Sequence, residues 1–206
     1  MFKKRVTICA VFFILLSIAG CAKGFDRDSV VKVARKNNMK AVMLAGFERK
    51  YNGGSSQEGE EAYYYVAKDS EEANYVYKKY LGLEENDNVT LKGFVGCNDE
   101  TFMDYCLFTA ADKDSANKLY DEYSAYFKED DPVISSGKKS GYEYTIGYIS
   151  SKDDPGNVRY FGLYKKGKAV FVLYAITDTA QEREYMESVL KDLGFISPMT
   201  LLSKKQ

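Results

Sequence analysis

Two of the four cysteines, the 18 tyrosines and several runs of carboxylates are the side chains in this sequence that chemistry could use. Cys97 and Cys106 flank Asn98, Asp99, Glu100 and Thr101, a stretch that reads as a turn between two strands. Outside the cytoplasm a disulfide across that hairpin is feasible, and two buried thiols are the alternative. Their spacing is not the Cys-x-x-Cys of thiol redox enzymes. The acidic runs at 58–61, 84–87, 129–131 and 153–154 all fall in loop-like sequence. None repeats the ligand spacing of a calcium loop, and no spacing singles out a glycosidase pair, so they read as solvated charge. Tyr63 and Tyr65, like Tyr142, Tyr144 and Tyr148, recur at strand spacing. On one exposed face they would stack on sugars; otherwise they are core residues with their hydroxyls at the rim. The chain has no His, which excludes a Ser-His-Asp triad, a Cys-His pair, a His-ligated zinc and a His proton switch. No metal and no cofactor is expected. With 29 basic and 30 acidic residues, it is not a nucleic-acid binder either.

The N-terminus carries an address. Lys3, Lys4 and Arg5 precede an uncharged apolar run from Val6 to Ile18, shorter than the ~20 residues that span a bilayer. Ile18-Ala19-Gly20-Cys21 resembles the lipobox of bacterial membrane lipoproteins, with Ile18 where leucine is commoner. The resemblance implies cleavage before Cys21, a diacylglyceryl group on its thiol and acylation of the new amino terminus. It also implies a place on the extracytoplasmic face of the cell membrane. Two or three acyl chains anchor stably where one is marginal. On this reading residues 1–20 are the signal peptide and 21–24 the lipidated cysteine and a short tether. Residues 25–198 form a single domain and 199–206 a polar tail. Lys23, Arg27, Lys32, Arg35 and Lys36 make the start of the domain basic while the remainder is acidic. The first helix is therefore expected to lie against anionic headgroups.

Three times a strand-like run leads through an Asp, Ser or Thr cap into an amphipathic helix. The helical stripes are Ala73, Val76, Tyr77, Tyr80 and Leu81; then Ala116, Leu119, Tyr120, Tyr123 and Phe127; then Met186, Val189, Leu190 and Leu193. Glu72 follows Asp69 by three and Glu182 follows Thr179 by three, the spacing of capping boxes. A helix from Asp26 to Asn38 precedes them. Val89, Leu91 and Val95 are expected on one side of a strand. Lys165, Lys166, Gly167 and Lys168 mark a hairpin, and the run Val170–Ile176, apolar on both faces, is expected centrally in the sheet. The fold class is α+β. The order from 62 to 149 suggests a ferredoxin-like βαββαβ core extended by a β-hairpin and a C-terminal helix. Its sheet is expected to be antiparallel, with helices packed on one side. Two lobes divided near 129–140 are the alternative.

The layout resembles that of small α+β surface lipoproteins of bacteria, a likeness that assigns no activity. The expectation is a lipid-anchored extracytoplasmic module without catalytic activity, binding a ligand, an envelope polymer or a partner protein. A hydrolase using carboxylates or tyrosine on envelope material is the other class. Converging carboxylates in a pocket would favour the hydrolase, and a tyrosine-lined concave face would favour binding.

Overall fold

A computed structural model describes residues 23–51, 62–82, 88–99, 102–129, 132–150 and 157–204. Among the described residues, five α-helices surround one sheet: α1 (Arg27–Lys36), α2 (Leu44–Tyr51), α3 (Ser70–Val76), α4 (Lys113–Tyr126) and α5 (Ala180–Leu193). The strands are β1 (Lys40–Val42), β2 (Tyr63–Val66), β3 (Leu91–Asn98), β4 (Met103–Ala110), β5 (Val133–Lys139), β6 (Tyr142–Ser150), β7 (Val158–Lys166) and β8 (Ala169–Thr177). They form an eight-stranded sheet in the order β1-β2-β3-β4-β8-β7-β6-β5, parallel only between β1 and β2. The protein is α+β, as its pattern of elements suggests. Within the described residues, no helix is long and apolar enough to cross a membrane.

The helices begin where side chains satisfy their free N–H groups. Asp26 accepts from Ser29 N at 3.0 Å, Asp69 from Glu72 N at 2.9 Å and Asp112 from Ser115 N at 2.7 Å. Thr179 and Glu182 form a complete capping box on α5. Gly194, in the left-handed region at φ 79°, ends that helix. The three amphipathic stripes all face the sheet, and β8 lies between β4 and β7 as its two apolar faces require.

Alternation then divides the core in two. Tyr64, Leu107, Phe171 and Leu173 face one way, while Tyr65, Phe108, Val170 and Val172 face the other. Val30, Val33 and Ala34 of α1, with Met186, Val189 and Leu190 of α5, cover the first face. Phe47 of α2, Ala73 and Val76 of α3, and Leu119 and Tyr123 of α4 cover the second. The helices thus lie on both faces rather than one, because strands apolar on both sides need two covers.

The pairing also departs from the ferredoxin-like pattern. In that fold β4 would lie between β2 and β3. Here β2 pairs directly with β3, antiparallel, across the α3 connection. From β4 the chain runs through α4, which packs across β4, β8 and β7, to β5 at the far edge. β5 to β8 then return as a meander to close against β4. The stretch 129–140 holds β5 and is no lobe boundary.

A bulge between Leu91 and Gly93 corrects a third expectation. The extra residue on β3 turns Leu91 to the second face, away from Val95 on the first. The end of the chain is not a bare polar tail. Pro198–Lys204 is a 3₁₀ segment, and Leu201 in it is buried.

Candidate functional site

Where the second face meets the Asn98 end of β3, the packing leaves a cavity of about 140 Å³. Its floor is the sheet, with Phe94 and Gly96 of β3, Cys106 of β4 and Val172 of β8. Gly96 is what keeps Phe94 and Phe47 in place, since a Cβ there would lie 2.9 Å from the Phe94 ring and 3.2 Å from that of Phe47. The roof is Phe47 of α2, Tyr123 of α4 and Leu81. Leu81 reaches the cavity because α3 continues as a π-helical turn, Tyr77–Leu81, in which Gly82 N bonds to Tyr77 O at 2.7 Å. Tyr123 donates its hydroxyl to Leu81 O at 3.0 Å, tying the two roof elements together. Exposed Asp104 and half-buried Asn98 and Tyr174 mark the opening, where Asn98 Nδ2 donates to the Asp104 carboxylate.

A surface cluster holds α2 over this cavity. Tyr75 and Tyr80 both donate hydroxyls to Glu48 Oε1, at 2.6 and 3.0 Å. Lys79 lies 5.1 and 4.9 Å from the centres of the same two rings. The two hydroxyls, aided by Lys79, hold the Glu48 carboxyl below its ordinary value, and the tyrosines raise the Lys79 ammonium above its own. None of these residues stood out in the sequence, because Glu48 meets its partners only once α2 packs beside α3.

Across Tyr174 lies a second cavity of about 190 Å³, lined by Phe127 and Phe161, whose rings stack at 4.6 Å, and by Glu129 and Arg159. Each cavity has one carboxylate among its described walls, Asp104 in the first and Glu129 in the second. No group of three His, Cys, Asp or Glu that could hold a metal occurs among the described residues. The acidic residues at 58–61, 84–87, 130–131 and 153–154 lie outside the described residues.

The structure separates the tyrosines proposed as one platform. Tyr63 and Tyr65 face α2 and α3, whereas Tyr142, Tyr144 and Tyr148 face α1 and α5. Tyr144 is half-buried and the other four are buried, so these rings form core and not a sugar-stacking surface. The Tyr142 hydroxyl is engaged inside, beside that of Tyr164, whereas the buried Tyr65 hydroxyl has no hydrogen-bond partner among the described residues. Tyr142 accepts from Ile196 N at 3.1 Å, and Tyr164 donates to Ile196 O at 2.6 Å.

Cys97 and Cys106 are both free thiols. Cys97 is opposite Tyr105 and Cys106 is opposite Gly96, which puts the two side chains on opposite faces of the sheet. The disulfide across the hairpin is thereby excluded. Burial pushes the Cys97 thiol up to about 12 and the Cys106 thiol well above its ordinary value. Both are protonated at neutral pH and are poor nucleophiles. Folding favours the protonated Cys97, a contribution complete below the unfolded value of about 8.5 and lost as pH climbs toward 12. In the chain beginning at Ala22, two thiols should titrate in denaturant without reductant, and both should react slowly in the native protein at pH 8. A bridged pair, seen as no titratable thiol in denaturant, would reject the placement.

Cys21 lies outside the described residues. Of the basic residues assigned to the membrane, Lys23 opens a 3₁₀ turn, while Arg27, Lys32, Arg35 and Lys36 are exposed on α1. Two of them are already engaged. Arg35 Nε donates to Tyr64 at 2.8 Å, and Lys36 pairs with Asp192 of α5.

No protein-family model, curated protein or solved structure matches this chain.

Proposed function

We propose that the protein is a non-catalytic module, held at the extracytoplasmic face of a membrane by lipid on Cys21, that binds a small apolar group. The ligand, or that group on an envelope polymer or partner protein, enters the cavity under α2 and α4. The observation that carries this reading is the cavity itself. A space of about 140 Å³ with aromatic walls is close to the size that accepts a benzene ring in an engineered protein core. Asp104 and Asn98 at the opening supply polar atoms to orient whatever the apolar part carries. The two protonated thiols and the single carboxylate per cavity favour binding over hydrolysis.

Benzene, phenol and indole are suitable probes. Saturable binding should raise the thermal midpoint and shift the NMR signals of the Cys106 and Val172 methylene and methyl groups. Val172→Phe should fill the cavity, abolish probe binding and leave the protein folded, at a cost of ~1–3 kcal/mol or less. Absence of binding by all three probes would remove the reading.

A further inference from the structure

We infer that the end of the sheet carrying the β5–β6 and β7–β8 turns seats against an anionic lipid surface. Both connections are two residues long. Ser140 and Gly141, at φ 50° and 79°, join Lys139 to Tyr142, and Gly167, at φ 61°, with Lys168 joins Lys166 to Ala169. Such tight turns fix the register of their strands, so the flanking lysines stay at the strand ends. The unbroken pairing of β5, β6, β7 and β8 then sets the two turns side by side. Lys138, Lys139, Lys165, Lys166 and Lys168 all gather there. Among the described residues at this end, Glu143 of β6 and Asp112 at the start of α4 face them. Glu143 contacts Lys138 and Lys165, each at 3.0 Å, and leaves the group positive. Lys168 donates to Ala111 O at 2.7 Å, which holds its ammonium at the turn, and it also faces the Asp112 carboxylate at the start of α4, which helps to hold that carboxyl below its ordinary value.

The chain enters the fold beside these turns. Phe25 packs 5.7 Å from Tyr142, the first residue of β6, and 5.0 Å from Phe195. A Cβ on Gly24 would lie 2.3 Å from the Phe195 ring, so the backbone itself is pressed against the core there. Cys21 is three residues before Gly24, within about 11 Å of it along an extended chain. If Cys21 bears the lipid, as proposed above, the bilayer lies at this end. The opposite ends of the strands carry Asp99, Asp104, Glu129 and Asp178 and the opening of the cavity. The basic end therefore faces the headgroups and the cavity opens away from them. This moves the contact from the exposed face of α1, where Arg35 and Lys36 are engaged, to the lysine turns.

The test uses the chain from Ala22 to Gln206, which contains every described element and no Cys21. Phosphatidylglycerol vesicles should bind it, phosphatidylcholine vesicles should not, and added salt should weaken the binding. Lys139→Glu with Lys168→Glu should lower the affinity at least about tenfold. Lys139→Gln with Lys168→Gln, which only removes charge, should give a smaller loss at an unchanged thermal midpoint. Arg27→Glu with Lys32→Glu on α1 should change it less than either. Equal binding to both vesicle types overturns the inference, as does binding unaffected by the turn reversals. A greater loss from the α1 pair overturns it too. The assay contains no lipid anchor, so failure of the Cys21 reading shows separately, as membrane retention and normal processing of Cys21→Ser in cells.

Discussion

Phe195→Ala should destabilise the fold by about 3–5 kcal/mol, a large part of the ~5–15 kcal/mol that holds an ordinary domain together. The ring is buried at the centre of an aromatic cluster. It stacks on Tyr164 at 4.3 Å and lies 4.7 Å from Phe171, 5.0 Å from Phe25 and 5.7 Å from Tyr142. Its position is fixed by the left-handed Gly194 that ends α5 and by the two tyrosine hydroxyls that clamp Ile196. Truncation removes a ring from between β6, β7 and β8 and also loosens Phe25, the residue that leads the chain into the domain. For a chain of this size the thermal midpoint should fall by roughly 10 °C or more. Met43→Ala, at a side chain 81% exposed, should change it by less than about 2 °C. A Phe195→Ala midpoint within the same small range would show that the cluster contributes little.

The parts of the fold that were legible are those whose rules are local. α5 has Met186, Val189, Leu190 and Leu193 at helical spacing and a capping box four residues before the first of them, and it forms as read. β8 announces its central place by being apolar on both faces. β5 was not legible because Val133–Lys139 is an edge strand, half-exposed and ending in Gly137, Lys138 and Lys139, a composition that also serves a loop. Sheet order was not legible either. Nothing near α4 says whether the chain will return beside β4 or cross β8 and β7 to the far edge. The bulge at Leu91 is one residue, yet it reverses which face that residue joins.

The candidate site illustrates the same limit. Tyr63 and Tyr65 read equally well as a platform or as core, because tyrosine spacing on a strand is identical in both. The answer depended on α2, a helix that covers them and that the sequence pattern did not disclose. The cavity needs Gly96, Cys106 and Val172 side by side on three strands, two of them distant in sequence. Gly96 alone was a visible signal: a glycine inside a strand leaves space for something. The charges behave likewise. Counting placed the basic residues on α1, but Asp192 and Tyr64, remote in sequence, engage two of them, while two hairpins assemble the lysines that counting had left dispersed.

Cys21→Ser should abolish lipid attachment, the largest effect expected of any single change outside the folded domain. The apolar run Val6–Ile18 is too short to span a bilayer comfortably, so on the proposed reading it would direct export and not replace a lipid anchor. Each buried methylene of an acyl chain contributes ~0.8 kcal/mol, and two or three chains make attachment effectively stable, whereas their loss leaves only the charge of the lysine turns. Labelled fatty acid should enter the wild-type protein and not the variant, and the variant should keep residues 1–20 because the cleaving peptidase acts on the lipidated cysteine. Detergent-phase partitioning should fall accordingly. An ordinary secretory signal makes the opposite forecast: both proteins would be cleaved alike, neither would carry label, and serine at position 21 would change nothing. Only Ala22 and Lys23 lie between Cys21 and the packed Gly24, so a lipid on Cys21 would hold the basic end of the sheet close to the bilayer.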